Sequence, residues 1–161
     1  MSRAFTREPD GNMPQDLPER PISPHPNWVT PEGLQQIEEH THELEQQRDR
    51  AIDAQDGTAL ASIERDLRYW RQRRASAHVV DGAEAGERVR FGTRVTLRRR
   101  DGSEQSFKLV GEDEADPAAG LISWVAPVAQ ALLGREVGED IEWRGQPVTI
   151  VACTRDTPSL H

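Results

Sequence analysis

Two apolar stripes at helical spacing, split by a helix-breaking triplet, constrain this chain more than any other feature. Leu34, Ile37, Thr41 and Leu44 follow alternating steps of three and four residues, and Leu60, Ile63, Leu67 and Trp70 repeat the pattern, with Ala77 beyond. That spacing gathers each set on one helix face, as in a coiled-coil seam. Thr30-Pro31-Glu32 opens the first helix: a hydroxyl for the N-cap, a proline at the first helical position, and an acid at the positive helix end. Asp56-Gly57-Thr58 breaks the pattern, and Thr58 is placed to cap the second helix. Helices joined by so few residues must lie antiparallel, each burying its stripe on the other. The expected result is a coiled-coil hairpin over residues 29–80 with its tip near 53–58. Arms of about 22 to 26 residues make a prong of roughly 35 Å, thin in core, with a tip that probes rather than packs.

From residue 86 the period changes to two. Val95 and Leu97 alternate with charged residues, Asp101-Gly102 signals a hairpin turn, and Phe107 and Leu109 lie on the return strand. An acidic loop follows from Gly111 to Pro117, and Leu121-Ile122-Ser123-Trp124-Val125 reads as a buried strand. Pro127 opens a short helix through Leu133 that Gly134 ends. A last hairpin turns at Arg144-Gly145-Gln146 between Ile141 and Trp143 on one side and Val148, Ile150 and Val151 on the other. The fold class is therefore α+β: an N-terminal antiparallel helical hairpin, then a β-rich domain with one short helix over 81–156, and a frayed tail over 157–161.

Ahead of the hairpin, residues 1–28 carry Pro9, Pro14, Pro18, Pro21, Pro24 and Pro26, six of eleven prolines, and read as an extended arm. The arm is either a flexible leader or, through Leu17-Pro18-Glu19-Arg20-Pro21-Ile22-Ser23-Pro24-His25-Pro26, a segment that binds a groove. With 161 residues, 35% hydrophobic and 30% charged, and a mean hydropathy of -0.76, part of the chain is expected to stay solvated. No apolar run reaches the roughly 20 residues of a membrane span, and Met1-Ser2-Arg3-Ala4-Phe5 lacks the apolar core of a signal peptide. A cytoplasmic location is the expectation. The lone Cys153 excludes an internal disulfide and a multi-cysteine zinc site. The net charge of -8 repels nucleic acid, so contact with it would run weakly or indirectly through a local basic patch or a protein partner. Neither glycine-rich phosphate loop, GxGxxG or GxxxxGK[ST], occurs.

Three groups of residues are candidates for function. Asp53 and Asp56 at the tip could meet a metal ion in a partner's site, or form a solvated turn with Asp56 as a cap; alone, two carboxylates three residues apart bind no ion tightly. Arg65, Arg68, Arg71, Arg73 and Arg74 make the second arm basic, either to face nucleic acid or an acidic wall, or as ordinary solvation with pairs such as Glu64–Arg68. Around the start of the short helix, Ser123, Trp124, Val125, Ala126 and Pro127 offer an aromatic anchor for a protein partner, while Trp124 could equally fill the core. Arg94, Arg98, Arg99 and Arg100 are expected on the solvent side of an edge strand. Glu112, Asp113, Glu114 and Asp116 lack calcium-loop spacing, and His40 and His42 face different sides of a helix, so no metal site of the chain's own is expected. Trp70, Trp143 and Cys153 are assigned to packing.

Several of these stretches resemble the GreA/GreB family of bacterial transcription factors. Val110-Gly111-Glu112-Asp113-Glu114-Ala115-Asp116, Leu121-Ile122-Ser123, Pro127-Val128-Ala129 and Ala131-Leu132-Leu133-Gly134 are similar to the family's C-terminal domain. Thr30-Pro31-Glu32-Gly33-Leu34 and His78-Val79-Val80-Asp81 are similar to the start and end of its hairpin, and the leader from Ser2 to Pro26 to that of GreB-type variants. The resemblance covers about residues 28–154 and implies an FKBP-like C-terminal domain. It also implies RNA polymerase as the partner: the C-terminal domain docks beside the secondary channel and the hairpin enters it. In the family, two tip acids help hold the polymerase's second Mg²⁺ for transcript cleavage.

Departures from the family's pattern refine this expectation. The family's tip carries Asp-x-x-Glu, whereas Asp53-Ala54-Gln55-Asp56 is Asp-x-x-Asp, and both arms look shorter by roughly two turns, or about 11 Å. In place of the Asp-Ser before the proline, Trp124-Val125-Ala126-Pro127-Val128 resembles the short-hairpin relative Rnk, a regulator of nucleoside diphosphate kinase that also binds polymerase. The resulting expectation is a polymerase-binding regulator of transcription elongation with no independent enzymatic activity and no cofactor. The alternatives are a true cleavage factor supplying Asp53 and Asp56 to the polymerase Mg²⁺, an Rnk-like regulator of another partner, or a prolyl isomerase by fold analogy.

Overall fold

The computed structural model describes residues 17–82 and 86–155. The expectations for the leader ahead of Leu17 and for the tail from Asp156 onward lie outside these residues. The chain divides into two compact units, one of residues 17–24 and Gln36–Ser76, the other of His25–Gln35 with the chain from Ala77 onward.

The first unit is built on two helices. α1 spans Pro31–Asp53, its first turn belonging to the second unit, and α2 spans Gly57–Ser76. They run antiparallel, because residues late in α2 meet residues early in α1. Arg71 pairs with Glu45 at 3.2 Å, Arg74 with Glu38 at 3.7 Å, and the Trp70 and His40 rings stack at 4.7 Å. Ile37, Thr41, Ala51 and Leu67 are buried, whereas Leu44, Leu60, Ile63 and Trp70 are only half-buried. Few apolar side chains are fully enclosed, so interhelix ion pairs and ring stacking supplement a thin seam. Thr41 occupies a seam position by donating its hydroxyl to the Ile37 carbonyl at 2.9 Å. At the tip, Gln55 takes a left-handed φ of 54°, and Asp56 Oδ1 accepts the Ala59 amide at 3.1 Å. Asp56 is thus the N-cap of α2, as in the solvated-turn reading of the tip, and not Thr58: the helix begins at Gly57, two residues earlier than a cap at Thr58 implies.

In the second unit, short strands β1 (Trp28–Val29) and β2 (His78–Val79) pair in parallel. The main sheet contains β3 (Thr93–Arg98), β4 (Glu104–Val110), β5 (Leu121–Ser123), β6 (Asp140–Trp143) and β7 (Gln146–Arg155), in the order β5-β4-β3-β7-β6. All neighbours are antiparallel except β4 and β5. α3, Pro127–Leu132, covers one face. Val95, Leu97, Phe107, Leu109, Val148 and Ile150 alternate inward and close on Val89, Ala129, Leu132 and Ile141. Trp143 and Cys153 pack against this core at partial burial, Cys153 less deeply than a fully interior residue.

Two sequence expectations change here. β3 is the central strand, so Arg94 and Arg98 lie on the outer face of an interior strand, not on an edge; Arg98 meets Glu104 across the β3–β4 pair at 2.7 Å. The run from Leu121 to Val125 is strand only to Ser123. There the chain turns, with the Ala126 amide on the Ser123 carbonyl at 3.0 Å and the Val125 amide on the Ser123 hydroxyl at 3.3 Å. The expected turn at Asp101-Gly102 is present, with Gly102 at φ 87° and Asp101 Oδ1 accepting the Ser103 amide at 2.8 Å.

Candidate functional site

The hairpin tip carries Ile52, Asp53, Ala54, Gln55 and Asp56, all exposed. Asp53 ends α1, and among the described residues its carboxylate has no partner, while Asp56 already uses one oxygen to cap α2. Ile52, at 52% exposure, is a large apolar side chain presented beside them. Two exposed carboxylates supply only part of the octahedral oxygen set that Mg²⁺ demands, and among the described residues no cluster of three or more His, Cys, Asp or Glu could hold a metal ion. The tip alone therefore fits no resident metal.

The arginines of α2 do not form one open basic face. Arg65 bonds Asp66 at 3.1 Å, Arg71 and Arg74 bridge to α1, and Arg68 is gripped by both oxygens of Glu19 at 2.6 to 3.1 Å. Arg73 is buried at 2% exposure, so it is not part of a solvent-facing stripe. The hydrogen bonds to Arg68, with its nearby positive charge, hold the Glu19 carboxyl below its usual range, and the same contact raises the Arg68 guanidinium. Glu19 belongs to the proline-rich arm. Its neighbour Arg20 sits over the Tyr69 ring at 3.9 Å, lies 5.6 Å from the Trp70 ring and pairs with Asp66 at 3.6 Å. These arm contacts escaped sequence reasoning, because partners 46 to 50 residues apart leave no local signature.

In the second unit, the residues at 123–127 form the bend from β5 into α3. Pro127 is exposed, Ser123, Val125 and Ala126 are half-buried, and Trp124 is buried at 8% exposure. The Trp124 indole stacks on Trp28 at 4.4 Å and meets His25 edge-on at 5.9 Å. The ring is packed within its own unit by these contacts. Its backbone is fixed on both sides: the amide donates to the Val110 carbonyl at 2.9 Å, and the carbonyl accepts Gln130 Nε2 at 2.7 Å. The indole Nε1–H is buried with no acceptor among the described residues. Beside Trp28 and Phe91 lies an open groove of ≈ 940 Å³, lined also by His78, Val80, Arg88 and Leu133. The acidic loop after β4 is structural in part. Glu114 is buried and accepts the Thr30 hydroxyl at 2.5 Å, while Thr30 caps α1 by accepting the Gly33 amide at 2.9 Å.

An antiparallel helical hairpin with an acid-bearing tip, joined to a five-stranded α+β unit, defines the class. Residues 84–155 match the family model described as transcription elongation factor, GreA/GreB, C-term. The chain is 31% identical over 135 residues to transcription elongation factor GreB of Neisseria meningitidis serogroup A, covering 71% of this chain and 83% of that protein. It is 38% identical over 116 residues to transcription elongation factor GreA of Desulfovibrio desulfuricans, covering 69% of each. Among solved structures, prokaryotic transcription elongation factor GreA/GreB from Nitrosomonas europaea is similar at 26% identity and a TM-score of 0.41, over 80% of this chain and 98% of that one. The chain belongs to the GreA/GreB family of transcription elongation factors.

Proposed function

We propose that this protein regulates transcription elongation by binding RNA polymerase at its secondary channel. In this reading the bend at Ser123, Trp124, Val125, Ala126 and Pro127 docks on the polymerase and the α1–α2 hairpin inserts. Support comes above all from the hairpin itself: two paired helices ending in an exposed, acid-bearing tip, in a chain of the GreA/GreB family. Because Trp124 is buried, the docking surface consists of Pro127, Val125 and Ala126 on a bend that the tryptophan stiffens from beneath. Obstruction or reshaping of the channel, with no chemistry by the chain itself, is the mode of action.

A second reading, stimulation of transcript cleavage, is favoured by one observation: the Asp53 carboxylate is exposed and has no partner among the described residues. Against it stands Asp56, one of whose carboxylate oxygens already caps the α2 N-terminus. A stalled, backtracked polymerase complex separates the two. Regulation without cleavage predicts association with no shortened transcript. Shortened transcripts that disappear with Asp53→Asn would establish the second reading instead. No association, with capture of a nucleotide-metabolising enzyme in its place, would overturn both in favour of an Rnk-like role.

A further inference from the structure

Residues 17–24 and the two helices fall in one compact unit, and the arm is held to α2 by a specific set of contacts. Glu19 clasps Arg68 with both carboxylate oxygens, and the Arg20 guanidinium covers the face of Tyr69 while pairing with Asp66. Tyr69 and Trp70 meet edge to face at 5.1 Å, and Trp70 is itself stacked on His40 of α1. The arm therefore rests on a ledge that both helices support. That ledge begins nine residues beyond Gly57, the first residue of α2, so Asp66 to Trp70 lie about 14 to 20 Å along the helix. The described arm runs from Leu17 to Pro24, and its ion pairs and ring contacts with the hairpin fall at this ledge, where an extra layer of extended, proline-stiffened chain makes it thicker.

We propose that residues 17–24 form a collar that sets how deeply the hairpin enters the polymerase secondary channel. The inference rests on the polymerase-binding reading and assigns the arm a positioning role within it. An aperture just wide enough for two packed helices is blocked by the third layer, so the insertion stops at the ledge, with at most about 15 Å of α2 inside. Glu19 and Arg20 are positioning residues: they touch neither transcript nor active site, and they act through the arm they hold in place.

The test uses the full chain with Ile52→Cys and Cys153→Ser, so that a single thiol at the tip carries an iron chelate that cuts nearby polymerase segments. The collar is opened in two independent ways, by Glu19→Ala with Arg20→Ala, and by Arg68→Glu, with helicity by circular dichroism confirming that the hairpin stays folded. Both are expected to move the cuts to polymerase segments nearer the catalytic centre, with affinity for polymerase within about threefold of the parent. Adding Glu19→Arg to Arg68→Glu is expected to bring back the parent pattern. Identical cutting by the parent and both opened variants, all of them bound, overturns the collar while leaving the polymerase reading intact. Failure of the parent itself to bind polymerase overturns that reading, and the collar with it.

Discussion

At Gly111 the missing side chain is what permits the local packing. A Cβ built there would press on the carbonyl oxygen of Trp28, and a backbone atom held in the β1 strand cannot swing aside. Gly111→Ala should cost about 1–3 kcal/mol, the usual range for overpacking, read as a lowered denaturant midpoint. Asp56→Ala removes the α2 cap and should cost about 1 kcal/mol, whereas Asp53→Asn should leave stability unchanged; thermal melts of the two variants separate the structural acid from the presented one. Asp101 gives a pH signature. The Ser103 hydroxyl and then the Ser103 amide hold its carboxyl below the usual carboxylate value of 3.8. A depressed folded-state value means the contribution is present above the unfolded value and is lost as pH falls through the folded one. Ser103→Ala should therefore move the Asp101 titration upward by NMR, and its stability difference from the parent should vanish at the acid end. An unmoved titration would remove the hydroxyl as the principal cause.

At the scale of elements, the helices were legible because burial on one face imposes the three-and-four spacing that Leu34 to Leu44 and Leu60 to Trp70 display. The β3–β4 turn was legible because Asp101-Gly102 is local chemistry. Other features were not, for a common physical reason. The short strands β1 and β2 pair residues 50 positions apart, the arm reaches α2 through charges and rings far along the chain, and the position of β3 in the sheet depends on how β7 returns. Periodicity reports which face is buried and says nothing about which partner buries it. Trp124 shows the same limit: its position before a proline-started helix fits an anchor, yet Trp28 covers it. Removal of the ring by Trp124→Ala should cost about 3–5 kcal/mol. Trp124→Phe keeps a stacking ring and deletes the buried, unaccepted N–H, so it should lose less than half as much, measured by denaturant unfolding. Equal losses for both would mean that the indole N–H is satisfied in the native state.

At the scale of the molecule, the net charge is -8, and the pairing of the α2 arginines with Glu19, Glu38, Glu45 and Asp66 leaves little open basic surface along that helix. Among the described residues no helix is long and apolar enough to cross a membrane. What the chain presents instead is a slender helical pair with Ile52 and Asp53 at its end, and a separate sheet unit carrying the bend at 123–127. The measurement that tests this division of labour most directly is a structure of the full chain bound to RNA polymerase. The account predicts Pro127 and its neighbours against the channel rim and Ile52 and Asp53 within the channel. A complex in which the hairpin tip lies outside the channel, or preparations in which the two never associate, would contradict it.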